Sequence, residues 1–327
     1  MTMFKKLFCG LVGLVAAAAS SQATIDTSGA RTAGCGKPHT DKGSLRHVNI
    51  LSDNVNREFL VYIPQDYNPH QSYPLQLSFH GNGKDMSYQA TLTRFTDPTI
   101  NPDMIAVFPN GLFGDTAKTQ DERCWQGAPY CTSHNDLLFV TDLLEFMRDN
   151  YCIRPSQVYA SGKSIGGGFV DLLACTESPG GDFTAFAMDA AAMYQEANDT
   201  DFVCHPARRP TPILELHGTE DHTAPYNGGR SHNATLPTVR AVLNDWATRN
   251  GCGPSPVPTV DDIQFDGTVF YTQYDCAGVP SVVAGYNVTG QGHVWISNED
   301  NAENGNHTAL IDASTIMMKF FNANAKH

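Results

Sequence analysis

The 327-residue sequence lacks an apolar run long enough to cross a membrane, and basic residues are scarce in it. The longest apolar run, residues 7–19, falls short of the roughly 20 residues that a membrane-spanning helix needs. Lysine and arginine total 21 against 34 acidic residues, so the formal net charge is −13. Such an acidic surface argues against nucleic acid and anionic membranes as partners. We therefore expect a soluble protein that binds neither.

Metal and nucleotide motifs are missing as well. The sequence contains no Cys-x-x-Cys and no His-Glu-x-x-His, the spacings typical of zinc sites. The acidic segment 298–305 lacks the spacing of a calcium-binding EF-hand, so we expect a solvated loop there. Gly162-Lys163-Ser164 resembles the end of a phosphate-binding loop, but that loop requires a glycine where Gln157 stands. We expect no metal and no cofactor.

The first residues have the pattern of a secretory signal peptide. Lys5 and Lys6 precede the apolar run, and small residues follow it up to Ala23. This pattern predicts residues 1–23 as the signal and residues 24–327 as one mature, extracellular domain. Loss of the two lysines leaves 19 basic against 34 acidic residues, a net charge of −15.

Cysteines and glycosylation sequons agree with passage through an oxidising secretory pathway. Eight of the nine cysteines remain after the signal, and an even number suggests four disulfides. Proximity favours Cys124 with Cys131 and Cys252 with Cys276, and the other pairings stay open. The N-x-[ST] sequons lie at Asn198, Asn233, Asn287 and Asn306.

Strands and helices alternate along most of the chain. An initial pair of strands, residues 45–51 and 57–63, is joined by a turn at Asp53 and Asn54. The strands that follow are short and apolar, and amphipathic helices separate them. This order predicts an α/β fold with an open, mostly parallel sheet and helices on both faces.

The chain is organised around a serine in a glycine-rich turn. An apolar strand leads into Gly162, Lys163, Ser164, Ile165 and Gly166, and a helix-like pattern follows. A sharp turn from strand to helix strains the serine backbone and leaves room only for glycine two residues before and after it. The turn exposes the hydroxyl and directs the Ile165 N–H toward a developing oxyanion. We predict a catalytic nucleophile here rather than a structural turn.

Such a serine needs an imidazole as base and a carboxylate that orients the imidazole. When the nucleophile sits at such a turn, the acid and then the histidine come later, each at the carboxyl end of a strand. Asp221 and His293 fit that order and placement. Glu215 and Glu220 remain alternatives for the acid, although Glu215 alternates with apolar residues inside a strand.

A second oxyanion donor is predicted in the loop after the strand of residues 74–79. Gly81 and Asn82 lie in this glycine-bearing loop, where the backbone can approach a substrate. We interpret His80 and His217 as residues that line the site or anchor turns.

The order of short motifs along the chain resembles that of secreted fungal feruloyl esterases. The motifs are Gly34-Cys35-Gly36-Lys37, Ile63-Pro64-x-x-Tyr67, Pro109-Asn110-Gly111, Gly162-Lys163-Ser164-x-Gly166-Gly167-Gly168, Leu173-Ala174-Cys175, His217-Gly218-x-x-Asp221, Asn250-Gly251-Cys252 and Gly292-His293. The resemblance places the sequence among carbohydrate esterases that include acetylxylan esterases and are similar to polyhydroxybutyrate depolymerases. It implies a disulfide-stabilised α/β-hydrolase fold.

The resemblance also implies hydrolysis of the esters that join ferulic or p-coumaric acid to arabinoxylan or pectin of plant cell walls. Ser164 would be the nucleophile, Asp221 the acid partner and His293 the base of a monomeric enzyme. Ile165 and the loop of residues 80–83 depart from the pattern of relatives, which leaves the preferred acyl group open. The alternatives are an acetylxylan or short-chain polyester esterase and a catalytically inactive carbohydrate-binding protein.

Aromatic residues are predicted to line the substrate pocket. Trp125 and Tyr130 lie in a long loop, residues 112–133, and Trp295 follows the predicted base. Long loops on a rigid sheet often form binding surfaces. These three side chains would be walls for the aromatic acid, although a disulfide across the loop would equally suit a surface staple.

Overall fold

The computed structural model describes residues 31–117, 119–194 and 203–325. The predicted signal peptide and the sequon at Asn198 lie outside these residues. The helices are α1 Met86–Thr93, α2 Asp136–Asn150, α3 Ile165–Ala174, α4 Val239–Ala247 and α5 Ala313–Ala323. The strands are β1 Leu45–Ser52, β2 Val55–Tyr62, β3 Tyr73–Phe79, β4 Ile105–Pro109, β5 Leu112–Phe113, β6 Arg123–Cys124, β7 Ile153–Lys163, β8 Ala185–Asp189, β9 Ile213–Gly218, β10 Gly229–Ser231, β11 Ala234–Leu236, β12 Val260–Gln264, β13 Val269–Cys276 and β14 Val279–Val288. Short helical turns occupy Gly180–Asp182, Thr248–Cys252 and Phe265–Gly267.

Ten of the strands in the described residues form one sheet, in the order β1-β2-β4-β3-β7-β8-β9-β14-β13-β12. The central strands from β4 to β14 run parallel to one another. The strands at the two edges pair antiparallel. The predicted open, mostly parallel sheet is confirmed.

The hairpin of β1 and β2 also forms where it was predicted. The two strands pair antiparallel, with Ser52 opposite Val55 next to the turn. Asp53 and Asn54 both have positive φ, 51° and 59°. A two-residue turn between twisted strands favours this conformation, and aspartate and asparagine tolerate it better than most residues do.

Helices cover both faces of the sheet because each strand alternates its side chains between two cores. In β7, Val158 and Ala160 belong to the core beneath α2, α3 and α4. Tyr159, which lies between them, belongs to the core beneath α1 and α5. Its ring stacks on Phe321 of α5 with the ring centroids 4.7 Å apart.

Side-chain caps mark the start of α2 and α5. At α2 the Asn135 side chain accepts a hydrogen bond from the Leu138 N–H. Asp312 accepts the Thr315 N–H and so places the first helical residue at position 313.

Disulfides join the eight cysteines of the described residues. The pairs are Cys35–Cys152, Cys124–Cys131, Cys175–Cys204 and Cys252–Cys276. Both pairs that the sequence favoured are therefore confirmed. No helix in these residues is both long and apolar enough to span a membrane.

The sequons that the structure describes differ in accessibility. Asn233 and Asn306 are exposed and remain predicted glycosylation sites. Asn287 lies inside β14, between β9 and β13, and its side-chain oxygen is buried. The Asn287 side chain is half-buried overall, and this sequon too remains a predicted glycosylation site.

Candidate active site

Ser164 occupies the turn between β7 and α3. Its backbone has φ 57° and ψ −125°, a strained conformation for a residue with a side chain. A β-carbon at Gly162 would lie 2.3 Å from the Gly166 carbonyl oxygen, and one at Gly166 would lie 2.3 Å from the Phe79 carbonyl oxygen. Atoms cannot approach so closely, so only glycine fits at either position. The prediction that only glycine fits two residues before and after Ser164 is confirmed at both positions.

His293 connects this serine to a carboxylate. Its Nε2 lies 2.8 Å from Ser164 Oγ, and its Nδ1 lies 2.7 Å from Asp221 Oδ2. Because an ionised carboxylate only accepts hydrogen bonds, Nδ1 carries the proton and Nε2 is the basic nitrogen. The three residues follow β7, β9 and β14, whose carboxyl ends meet at one edge of the parallel sheet.

Asp221 is a buried, fully bonded carboxylate. Its Oδ1 accepts the backbone N–H groups of Thr223 and Ala224, both at 2.8 Å. Burial alone would raise the pKa of Asp221, but hydrogen bonds with His217 and His293 outweigh it and hold that pKa well below its ordinary value. Asp221 therefore carries a negative charge throughout the neutral range.

The two alternative acids contact other groups. Glu220 is exposed on the loop after β9. Glu215 is fully buried in β9, and its Oε1 lies 2.8 Å from His217 Nδ1. The site therefore places Asp221 beside His293, as the chain order predicted.

Burial also affects the pKa of His293, the predicted base. It lowers the pKa of His293 below the ordinary 6.5, and the positive charge of Lys163 acts in the same direction, although the hydrogen bond to Asp221 opposes both. His293 is therefore neutral near pH 7. A neutral imidazole beside a hydroxyl is able to accept its proton.

Buried side chains hold the loop that carries His293. Asp189 Oδ2 accepts the Ile296 N–H at 2.9 Å, Glu303 Oε2 accepts the Trp295 N–H at 2.7 Å, and Lys163 Nζ donates to the His293 carbonyl oxygen at 3.3 Å. Lys163 and Glu303 also form an ion pair with 3.3 Å between Nζ and Oε1. The segment 298–305 was predicted to be solvated, and for Glu303 that prediction is wrong because its carboxylate pairs with a buried lysine.

The loop after β3 is fixed by His80. Its Nε2 accepts the Gly111 N–H at 2.9 Å, so Nδ1 carries the proton and donates to the Gly81 carbonyl oxygen at 2.8 Å. Burial lowers the pKa of His80 to about 4, which keeps this ring neutral. His80 is thus the turn anchor that the sequence suggested, and it positions Gly81 and Asn82 beside Ser164.

Two of the three predicted aromatic walls do not reach the pocket. Trp125 is fully buried, and its Nε1 donates to the His80 carbonyl oxygen at 2.9 Å. Trp295 is 1% exposed, and its Nε1 donates to Ser314 Oγ at 3.0 Å. Each indole N–H donates its hydrogen bond inside the core, so both rings pack in the core beneath their own loops and not in the pocket wall. The predictions for Trp125 and Trp295 are wrong.

Tyr130 does line the pocket, a cavity of about 420 Å³ that also contains Ser164, Ile165 and His293. Two groups of side chains in contact form much of its wall. The aromatic group consists of Tyr130, Tyr194 and His232, and the charged group consists of Tyr88, Lys163 and Glu303. Five of these six residues were not predicted from the sequence, although the position of Lys163 directly before Ser164 was a signal that it lies in the pocket.

Comparison with known proteins finds esterases among the similar sequences and structures. Residues 52–210 match the model of a family described as putative esterase. Feruloyl esterase B of Piromyces equi is 27% identical over 205 residues, which cover 61% of this chain and 37% of that protein. Feruloyl esterase C of Emericella nidulans is 25% identical over 235 residues, covering 70% and 73%. An acetyl xylan esterase from Aspergillus awamori has the same fold, with a TM-score of 0.56 at 13% identity over 86% of this chain and 99% of that one.

The fold and these matches define the class: the chain is a carboxylic ester hydrolase with the α/β-hydrolase fold. Within that class its sequence is similar to those of fungal feruloyl esterases, as its motifs predicted. The alignment spans little more than a third of the Piromyces protein, so what the whole of that protein does is not transferred.

Proposed function

We propose that this protein is a secreted serine esterase that hydrolyses feruloyl and p-coumaroyl esters of plant cell-wall polysaccharides. The observation that carries the proposal is the continuous hydrogen-bonded chain from Ser164 Oγ through His293 to Asp221. Four disulfides and the feruloyl esterase relatives support secretion and the substrate class.

The reaction proceeds through an acyl-enzyme. His293 Nε2 takes the Ser164 proton while Oγ attacks the ester carbonyl carbon. The oxyanion rests on backbone N–H groups of Ile165 and of the loop with Gly81 and Asn82. Collapse of the tetrahedral intermediate expels the sugar alkoxide, which takes the proton from His293. Water, deprotonated by the same nitrogen, then releases the acid, and no cofactor takes part.

The aromatic group in the pocket supports an aromatic acyl moiety. The rings of Tyr130 and His232 lie 5.1 Å apart, and Tyr194 contacts the same histidine through its hydroxyl. The Tyr130 hydroxyl is buried and has no hydrogen-bond partner in the described part of the chain. After a rotation of the Tyr130 side chain, a phenolic or methoxy oxygen of a bound hydroxycinnamate would reach this hydroxyl and satisfy it.

The first experiment compares substrates. Purified protein is assayed with methyl ferulate, methyl p-coumarate and acetylated xylan, beside Ser164→Ala and the control Ser156→Ala, an exposed serine at the far end of β7. Hydroxycinnamate release that only Ser164→Ala abolishes supports the proposal. Acetate release alone keeps the serine esterase and changes the substrate. Release from none of the three substrates favours a catalytically inactive carbohydrate-binding protein.

A second experiment tests the acyl pocket. Tyr130→Phe removes the unpaired hydroxyl and little else, so KM for methyl ferulate rises about fivefold, equivalent to about 1 kcal/mol for one hydrogen bond. Methyl cinnamate lacks the phenolic and methoxy oxygens and is the matched control, with KM unchanged. Equal effects on the two esters would remove Tyr130 from acyl recognition.

A further inference from the structure

The catalytic carboxylate has a second histidine beside it. His217 Nε2 lies 3.2 Å from Asp221 Oδ2, the same oxygen that accepts from His293 Nδ1. His217 is 1% exposed at the end of β9, and the mechanism above gives it no role. One carboxylate oxygen is thus shared between two imidazole rings.

The contacts of His217 place an oxygen that can accept a hydrogen bond at each ring nitrogen. Nε2 lies 2.7 Å from the Ala224 carbonyl oxygen, which can only accept. Nδ1 lies 2.8 Å from Glu215 Oε1, and that oxygen also accepts the Ala191 N–H at 3.2 Å. A histidine that donates from both nitrogens is an imidazolium.

Other titratable groups are packed around this ring. Burial raises the pKa of Asp189 on β8 well above its ordinary value, although the charges of Lys163 on β7 and of His217 oppose that shift. The ring of Tyr226 packs against His217 edge to face, 6.0 Å between centroids. Lys163 is the cation among them, and it already pairs with Glu303.

We propose, on the basis of the proposed triad, that His217 is a positioning residue whose fixed positive charge competes with His293 for Asp221 and so extends the activity of the enzyme to lower pH. A cation that shares the carboxylate makes it a poorer stabiliser of a second imidazolium. His293 therefore keeps its neutral, proton-accepting form at a lower pH than it would beside an unshared aspartate.

The balance of charges on His217 supports this assignment. Burial alone would lower the pKa of His217, but its hydrogen bonds to Asp221 and Glu215, together with their negative charges, raise it to about 10. The charge is thus constant across the range in which His293 titrates. A constant charge shifts the titration of its neighbour without adding a second transition.

The test is the pH profile of kcat/KM for His217→Gln, which keeps a donor of similar size and removes the charge. The acidic limb moves to higher pH by about one unit, because a like charge within about 4–6 Å shifts a pKa by roughly that much. His307→Gln, at an exposed loop position, is the control and leaves the limb in place. Loss of stability or of activity at all pH values with an unmoved limb would make His217 merely structural and overturn the proposal.

A measurement without substrate separates this inference from the proposed function. In protein labelled with ¹³C-histidine, one imidazole stays protonated above pH 8, and its resonance is absent from His217→Gln. Titration of every imidazole below pH 8 would overturn the inference even in an active esterase. Conversely, a wild-type protein with this protonated resonance but no esterase activity would contradict the proposed function alone.

Discussion

Lys163 Nζ lies 3.3 Å from Glu303 Oε1 in the wall of the pocket, and the two side chains are only 7% and 9% exposed. The lysine adjoins the nucleophile in sequence, and the glutamate comes from a loop far along the chain. Through the Trp295 N–H and the His293 carbonyl oxygen, this buried pair connects the loop that carries His293 to the turn that carries Ser164.

Glu303→Gln leaves the Lys163 charge buried without its partner. The expected loss is about 3–5 kcal/mol in the free energy of unfolding, because removal of one member of a buried pair leaves an uncompensated charge. Glu299→Gln is the matched control, since Glu299 is 66% exposed in its pair with Arg94, and surface pairs contribute about 0–1 kcal/mol. Urea denaturation measures both variants.

The double variant with Lys163→Met and Glu303→Gln shows whether the loss of stability comes from the unpaired charge or from altered packing. With the lysine charge removed as well, much of the lost stability returns. If the double variant were as unstable as Glu303→Gln alone, the unpaired charge would not be the cause.

The pH dependence of kcat/KM follows from the lowered pKa of His293. Only the neutral imidazole accepts the Ser164 proton, and that form predominates above the His293 pKa. Activity in wild-type protein therefore rises with pH through a midpoint below the ordinary 6.5 and levels off above it. Steady-state rates from pH 4 to 8, with folding checked by fluorescence at each pH, provide the measurement. A midpoint above 6.5 would contradict this description of the base.

Gly166→Ala is expected to lower the free energy of unfolding, although helix propensity alone would raise it. In an ordinary helix the change to alanine stabilises by about 1 kcal/mol. Here the added β-carbon would lie 2.3 Å from the Phe79 carbonyl oxygen and 2.5 Å from that of His80, so α3 must move away from β3. We expect a loss of about 1–3 kcal/mol and of most of the activity. A variant as stable and as active as wild type would show that the turn is not tightly constrained.

Local patterns predicted the parts of the structure that neighbouring residues determine. The turn at Asp53 and Asn54 and the glycines around Ser164 both depend on backbone geometry within a few residues. The positions of Asp221 and His293 could also be predicted from chain order, because the parallel sheet brings the carboxyl ends of its strands together.

The misplaced residues depend on contacts between distant parts of the chain. Trp125 was expected in the pocket because it lies in a long loop, but its indole packs between Phe79 and Phe169. Glu303 was expected in solvent because its segment is acidic, but a lysine 140 positions earlier neutralises it. No periodicity within a loop reveals such a partner.

The most direct test of the central claim is labelling of the folded protein with a serine-reactive phosphonate, followed by peptide mass spectrometry. The predicted result is one phosphonate per chain, attached to Ser164, with labelling greatly slowed in His293→Ala and absent from Ser164→Ala. Attachment to another residue, or no labelling of folded wild-type protein, would contradict the assignment of Ser164 as the nucleophile.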